Sequence, residues 1–190
     1  MLAIEKKLRD MMRNVIKTVT ALRSDQRGVS AIEFSFLAGL LSLGMLNTAD
    51  VSIYIYQRME LENATQMGAQ AARSTCDPSV GQLPATKNCP GLMTAVTTAV
   101  QSTSLGTKVS LQSGSPAEGY YCVSSSNTLQ YVSDVTSKPT DCTATGMASL
   151  QPADYITIQA TFSYTPLFGG ITVAKLFATP ITKTAMMRLD

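Results

Sequence analysis

Residues 27–46 read RGVSAIEFSFLAGLLSLGML, an apolar run in which Glu33 is the only charged residue after the first position. Apolar character resumes over residues 51–56, after a polar interruption at 47–50. A helix needs about 20 mainly apolar residues to cross roughly 30 Å of hydrocarbon. The stretch is about long enough, and it predicts one transmembrane helix over residues 29–50.

The sequence ahead of this run indicates how the helix is oriented. Residues 1–28 hold seven Lys or Arg against three Asp or Glu, a net charge of +4 in a chain whose formal charge is +2. Basic residues beside a membrane span are retained in the cytoplasm, so we expect the rest of the chain on the opposite side of the membrane, to which a single pass attaches it. A solvated basic helix is the alternative for residues 1–28. Nucleic-acid binding is disfavoured because the basic part adjoins an apolar run.

The apolar run differs from two other kinds of apolar segment. A secretory signal peptide has a shorter basic region than this one, and it has a small-x-small cleavage site close behind the apolar core, which this sequence lacks. The basic flank and the lack of polar alternation also favour the bilayer over a helix buried in a soluble core.

Glu33 is the unusual residue of the predicted span. A carboxylate inside a membrane helix costs on the order of 2.5 to 3.5 kcal/mol on insertion scales, and a plain anchor has no reason to carry one. Three explanations fit the sequence. Glu33 pairs with a positive group, it lies close enough to the interface to stay hydrated, or it is protonated and inert.

Glu33 also belongs to a wider pattern, in which Gly28 follows basic residues, four residues intervene, and Glu33 and Phe34 open the apolar helix. This pattern resembles the processing site of type IV prepilins, especially of the Tad (tight adherence) subclass, in which a membrane-embedded peptidase cuts after the Gly. The resemblance implies that residues 1–28 are a cleaved leader and that the scissile bond joins Gly28 to Val29. It also implies a role for Glu33 and Phe34 in subunit assembly, with the carboxylate pairing with the N-terminal amine of a neighbouring subunit.

The segment after the span extends this resemblance. Residues 50–72 contain tyrosines, Gln57-Arg58 and Asn63-Ala64, and they end in an alanine-rich stretch. They resemble the corresponding segment of TadE-like proteins, the minor pseudopilins of Tad/Flp pilus systems, and the likeness covers about residues 24–75. Residues 51–75 are therefore expected to continue the helix into the periplasm, with a stripe of small residues that permits close packing. The stripe consists of Leu61, Ala64, Gly68 and Ala71.

All four cysteines follow the span, so the predicted orientation places them on the oxidising, periplasmic side, where disulfides persist. Four cysteines allow three pairings, and sequence alone does not select one. We favour the two local loops, Cys76 with Cys89 and Cys122 with Cys142. A zinc site is the rival interpretation, but it lacks CxxC spacing and would lie in the wrong compartment.

Residues 76–190 are expected to form a disulfide-bonded α+β domain. A short helix begins after Pro90-Gly91, and alternation of apolar and polar residues is clearest over Asp154 to Tyr164, which predicts a strand with one buried face. The predicted fold is a long N-terminal helix packed against a small antiparallel sheet, as in pilins. The apolar connection over residues 166–178 fits a core element, a partner surface or a membrane-contacting patch. The predicted strands are Lys108 to Gln112, Gly119 to Ser124, Leu129 to Ser133, Asp154 to Tyr164 and Ile181 to Leu189.

The composition excludes several kinds of catalytic site. The sequence has no histidine, which removes Ser-His-Asp and Cys-His nucleophilic machinery and any His-based zinc site. Gly169-Gly170 lacks the lysine of a phosphate-binding loop. We expect no cofactor, no metal and no small-molecule substrate. A membrane-anchored periplasmic enzyme would have to use loop carboxylates that form no motif, namely Asp77, Glu118, Asp134, Asp141 and Asp154.

The predicted function is that of a minor pilin or pseudopilin, which a prepilin peptidase processes and which takes part in the assembly or initiation of a Tad/Flp pilus. Its expected partners are that peptidase, other pilins or pseudopilins, the pilus assembly platform and the inner membrane. An uncleaved adaptor with one membrane span and a pseudopilin of a type II secretion machine are the alternatives.

Overall fold

The computed structural model describes residues 12, 13, 17 and 27–190. The chain divides into two compact units, Met1–Leu46 and Asn47–Asp190. Most of the predicted leader, residues 1–28, lies outside the described residues. A long helix, α1, comprises Arg27–Thr75 and contributes to both units.

In the first unit, α1 carries its apolar side chains on the surface. Ile32, Phe34 and Leu40 are all exposed, and among the described residues α1 is the one helix long and apolar enough to cross a membrane. Two serines in this stretch satisfy their hydroxyls within the helix, since Ser35 donates to the carbonyl of Ala31 at 2.8 Å and Ser42 to that of Ala38 at 2.7 Å. Polar groups in lipid need such internal partners, so the segment has the character of a single-pass span.

In the second unit, one face of α1 is buried against its own domain. Gly68 is a point of close approach, because a Cβ built there would lie 2.7 Å from Cγ2 of Val100 and 3.3 Å from Cγ2 of Ile158. The predicted close-packing stripe is present, and Leu61, Ala64 and Gly68 are buried in it. Its last predicted member, Ala71, is only half-buried, and the neighbouring Ala72 is fully buried instead. The buried residues of this face are Leu61, Ala64, Thr65, Gly68, Ala69 and Ala72.

Five antiparallel strands form one sheet. The central strand β4 pairs with β5 along one edge, and along its other edge it pairs first with β2 and then with β1, while β3 pairs with the far side of β2. Alternate residues of β4 are buried, as the sequence pattern predicted. The strands are β1 Val109–Leu111, β2 Ala117–Val123, β3 Leu129–Asp134, β4 Ala153–Phe162 and β5 Ile181–Arg188.

Two short helices complete the domain, α2 at Ala85–Asn88 and α3 at Leu92–Val100. Four short 3-10 turns accompany them among the described residues, at Pro78–Val80, Gly106–Lys108, Thr143–Thr145 and Val173–Leu176. The buried face of α3 joins α1 and β4 in one core, which contains Val96, Val100, Ile156 and Ile158. A long helix packed against a small antiparallel sheet confirms the predicted α+β class.

Two disulfides connect this domain, between Cys76 and Cys89 and between Cys122 and Cys142. These are the two local pairs favoured from the sequence. The first bond joins the residue that follows α1 to the residue that follows α2, and the second joins β2 to the loop before β4. The loop closed by the first bond contains no strand, whereas the loop closed by the second contains β3, which also pairs with β2.

Candidate functional site

The predicted cleavage position lies in the first turn of α1. Among the described residues, no atom beyond the chain neighbours and the local helix backbone lies within 4 Å of a Cβ built on Gly28, and the side chain of Val29 is exposed. The described part of the chain therefore leaves both residues sterically open, as a peptidase substrate requires.

Glu33 lies one helical turn beyond Val29. Residues four apart on a helix share a face, and the separation along the axis is about 6 Å at ~1.5 Å per residue. The carboxylate is exposed, as are its apolar neighbours Ile32 and Phe34. Because residues 28–49 contain no other charged residue, Glu33 is an isolated negative group on an apolar helix surface.

The polar interruption at 47–50 has a structural role that the sequence did not reveal. The side-chain oxygen of Asn47 accepts from the backbone N–H of Val173 at 2.8 Å, and its amide group donates to the carbonyl of Ile171 at 3.3 Å. Asp50 is fully buried and accepts from the N–H groups of Leu167 at 2.9 Å and Phe168 at 3.2 Å. The two residues attach the segment 166–178 to α1.

This attached segment, called the apolar segment below, has two sides. Thr172 and Ala174 face inward and are buried, and the ring of Phe177 lies 4.6 Å from that of Tyr54. The other side carries four aliphatic side chains that are each more than half exposed. They are Leu167, Ile171, Val173 and Leu176.

Three of the five loop acids considered above as catalytic candidates stabilise turns. In each case a carboxylate oxygen accepts the backbone N–H two residues onward, at 2.8 Å from Ser79 and Thr136 and at 2.9 Å from Thr143. The side-chain hydroxyl and the backbone N–H of Ser79, Thr136 and Thr143 donate hydrogen bonds to these carboxylates, and this holds the pKa of each carboxyl below its usual range. These acids are Asp77, Asp134 and Asp141.

The structure brings the remaining two acids, Glu118 and Asp154, close together beside the C-terminal Asp190. Glu118 accepts the N–H groups of Ala85 and Thr86 at the start of α2, at 2.6 and 2.7 Å. Asp154 is 2% exposed, and within the described chain its Oδ1 has no hydrogen-bond partner.

Burial is the main cause that raises the pKa of the Asp154 carboxyl, to about 7. The negative charge of Glu118, a hydrogen bond with Glu118 and the charge of Asp190 contribute to this rise, and Lys138 opposes it. Both carboxylate oxygens of Glu118 also accept hydrogen bonds from the start of α2. Among the described residues, no group of three or more His, Cys, Asp or Glu could hold a metal ion. The cluster joins the start of α2, the start of β4 and Asp190 around one buried carboxyl group.

Residues 28–70 match the family model described as TadE-like protein. The resemblance predicted from the sequence is confirmed over this range, which contains Gly28, Val29 and Glu33 and continues through most of α1. The TadE-like family is associated with Tad pilus systems. No curated protein and no solved structure matches the chain.

Proposed function

We propose that this TadE-like chain is a minor pilin or pseudopilin of a Tad/Flp pilus system, processed by a prepilin peptidase and recruited through Glu33 to an initiating or growing pilus. The observation that carries the proposal is the isolated Glu33 on an exposed apolar helix surface, inside the region that matches the family. A simple anchor would gain nothing from a carboxylate at this position.

Processing would give Glu33 a partner. Cleavage between Gly28 and Val29 creates an α-amino group at the membrane surface, with a reference pKa of about 7.7 to 8.0, so it is largely protonated at neutral pH. An unpaired charge in lipid is costly, whereas a paired one is tolerated. Pairing of the Val29 amine of one subunit with Glu33 of its neighbour therefore favours one axial register between their helices.

The membrane topology follows the same proposal. Residues 29–50 were expected to span the bilayer, and we propose that the span ends near Leu46, because Asn47 and Asp50 are engaged in the second unit. The basic leader remains in the cytoplasm and residues 76–190 fold in the periplasm, where both disulfides form. The partners are the peptidase, other pilins or pseudopilins and the assembly platform.

The small-residue stripe of α1 does not supply the contact with neighbouring subunits. Its buried members already pack on the sheet and on α3, so recruitment must use exposed side chains of α1, and those around Glu33 in the first unit are the ones that the proposal uses. This assigns recruitment to the membrane-embedded part of the chain.

The deciding variant is Glu33→Leu, with Ser35→Leu as its matched control. Both replace a polar side chain by leucine on the exposed part of α1, but Ser35 already satisfies its hydroxyl within the helix. We expect Glu33→Leu to be inserted and cleaved normally, and to reduce surface pili by at least about tenfold, since ~1.4 kcal/mol of lost pairing corresponds to a factor of ten. Ser35→Leu should assemble normally. An uncleaved adaptor would tolerate both substitutions, and normal piliation with Glu33→Leu would refute the proposal.

A further inference from the structure

The apolar segment has features that its role in the fold does not explain. Inward-facing residues and two polar side chains of α1 hold it in place, yet four aliphatic side chains point away from the core and are each more than half exposed, with Leu176 at 80%. Exposed apolar groups that cluster on one segment indicate a contact surface. Lys175 is the only charged residue between 165 and 178.

The position of this segment along the chain indicates what covers it. It is hydrogen-bonded to residues 47 and 50, and residue 47 directly follows the apolar stretch of α1. A helix from Val29 to Leu46 rises about 27 Å at ~1.5 Å per residue, close to the hydrocarbon thickness of a bilayer. Whatever is attached to residues 47 and 50 is then held at the depth of the lipid headgroups.

We propose that the apolar segment rests on the periplasmic surface of the bilayer, with its exposed aliphatic side chains in contact with lipid and Lys175 facing the phosphate groups. This inference rests on the membrane insertion included in the proposed function. Interfacial segments commonly combine apolar side chains, which enter the headgroup region, with basic residues that face the lipid phosphates. The contact would fix the domain against the membrane at a second point besides the span.

The test uses the full chain in vesicles of phosphatidylethanolamine and phosphatidylglycerol, at low protein-to-lipid ratio. Because all four native cysteines are disulfide-bonded, Leu176→Cys introduces one thiol that accepts an environment-sensitive fluorophore. Leu167→Cys provides an independent second position on the same segment. Quenching by lipids with nitroxide at the headgroup or along the acyl chain then reports depth.

Two matched variants make the result interpretable. Leu40→Cys lies in the apolar part of α1 and reports insertion of the span. Val80→Cys is exposed in the second unit, beyond the end of α1, which rises about 42 Å from Asn47 to Thr75 at ~1.5 Å per residue. It reports the aqueous baseline.

We expect labels at 176 and 167 to be quenched several-fold more strongly by headgroup nitroxide than the label at 80, with the label at 40 quenched by acyl-chain nitroxide. If the label at residue 40 is quenched by acyl-chain nitroxide but the labels at residues 176 and 167 are quenched no more than the label at residue 80, the inference is overturned and the proposed function remains intact. Aqueous behaviour at 40 would refute the insertion that both require. Protection at 176 that appears only at high protein-to-lipid ratio would indicate a second copy as the occupant and would also overturn the inference.

Discussion

The Asp50 carboxylate accepts the backbone N–H of Leu167 at 2.9 Å and joins α1 to a segment more than a hundred residues later in the chain. Its second oxygen accepts the N–H of Phe168, and its own carbonyl accepts the hydroxyl of Tyr164 at 3.1 Å. A buried carboxylate is costly unless such donors surround it. Asp50 therefore holds the apolar segment at the point where the predicted span gives way to the periplasmic domain.

We expect Asp50→Ala to leave two N–H groups without acceptors and to lower the free energy of unfolding of the second unit by about 2 to 4 kcal/mol. The amides of residues 167 and 168 should lose protection from hydrogen exchange. Glu60→Ala is the control. Glu60 is half-buried on the same helix and accepts the hydroxyl of Ser104, with no backbone N–H to satisfy in the described structure, so this substitution should change stability little. Unchanged exchange at 167 and 168 in Asp50→Ala would contradict this assignment.

Close packing at Gly68 predicts a second effect. In Gly68→Ala the new methyl would lie 2.7 Å from Cγ2 of the buried Val100, and such overpacking costs roughly 1 to 3 kcal/mol. This outweighs the gain of up to about 1 kcal/mol in helix propensity. Gln70→Ala, at an exposed position of the same helix, should be neutral or slightly stabilising in urea unfolding. A Gly68→Ala chain as stable as the Gln70→Ala chain would show that the interface has room.

The buried Asp154 predicts how stability depends on pH. Its pKa of about 7 in the folded chain lies above the reference value of about 3.9, so the folded state binds a proton that the unfolded state has lost between those two values. Stability must then fall as pH rises through about 7. The groups facing Asp154 are Glu118, Asp190, Lys138 and Tyr120. The pKa of the Tyr120 hydroxyl is itself raised, mainly by burial.

The window from pH 5 to pH 8 suits this test because the chain has no histidine, and the α-amino group, which titrates near its upper end, is the same in the wild type and in Asp154→Asn. We expect the free energy of unfolding to be greater at pH 5 than at pH 8 by about 2 kcal/mol. Asp154→Asn should remove most of this difference and should stabilise the chain at pH 8. Equal pH dependence in the wild type and in Asp154→Asn, measured by chemical unfolding, would exclude Asp154 as its origin.

The disulfides should stabilise the domain mainly through the unfolded chain. Replacing both Cys76 and Cys89 by alanine removes a bond between residues 13 apart, and the chain-entropy model assigns about 3 kcal/mol to a loop of this size. Urea unfolding of the detergent-solubilised chain, with the Cys122 and Cys142 bond left oxidised, measures this loss. A decrease well below 1 kcal/mol would indicate that the loop is already ordered in the unfolded chain.

Much of the fold could be predicted from local pattern. The alternation of Ile156, Ile158, Ala160 and Phe162 specifies β4, because side chains of a strand alternate between faces. The pairings favoured from the sequence were the local ones, which join cysteines 13 and 20 residues apart. Both features depend on residues that are close together in the chain, so the sequence is enough to favour them.

The parts that could not be predicted depend on contacts between distant residues. In the sequence, Asn47 and Asp50 could be interpreted only as a polar interruption of the predicted span. Their hydrogen-bond partners at residues 167–173 are more than a hundred residues away, and no spacing identifies them. The Glu118, Asp154 and Asp190 cluster likewise exists only through the pairing of β2, β4 and the C-terminus. A polar residue at the end of an apolar run was the one available signal for Asp50.

The most direct measurement is N-terminal sequencing of the mature protein extracted from membranes of piliated cells, beside an isogenic strain that lacks the prepilin peptidase. Our account predicts that the chain begins at Val29 in the first strain and retains Met1 in the second, which should lack pili. An intact Met1 in fully piliated cells would contradict it.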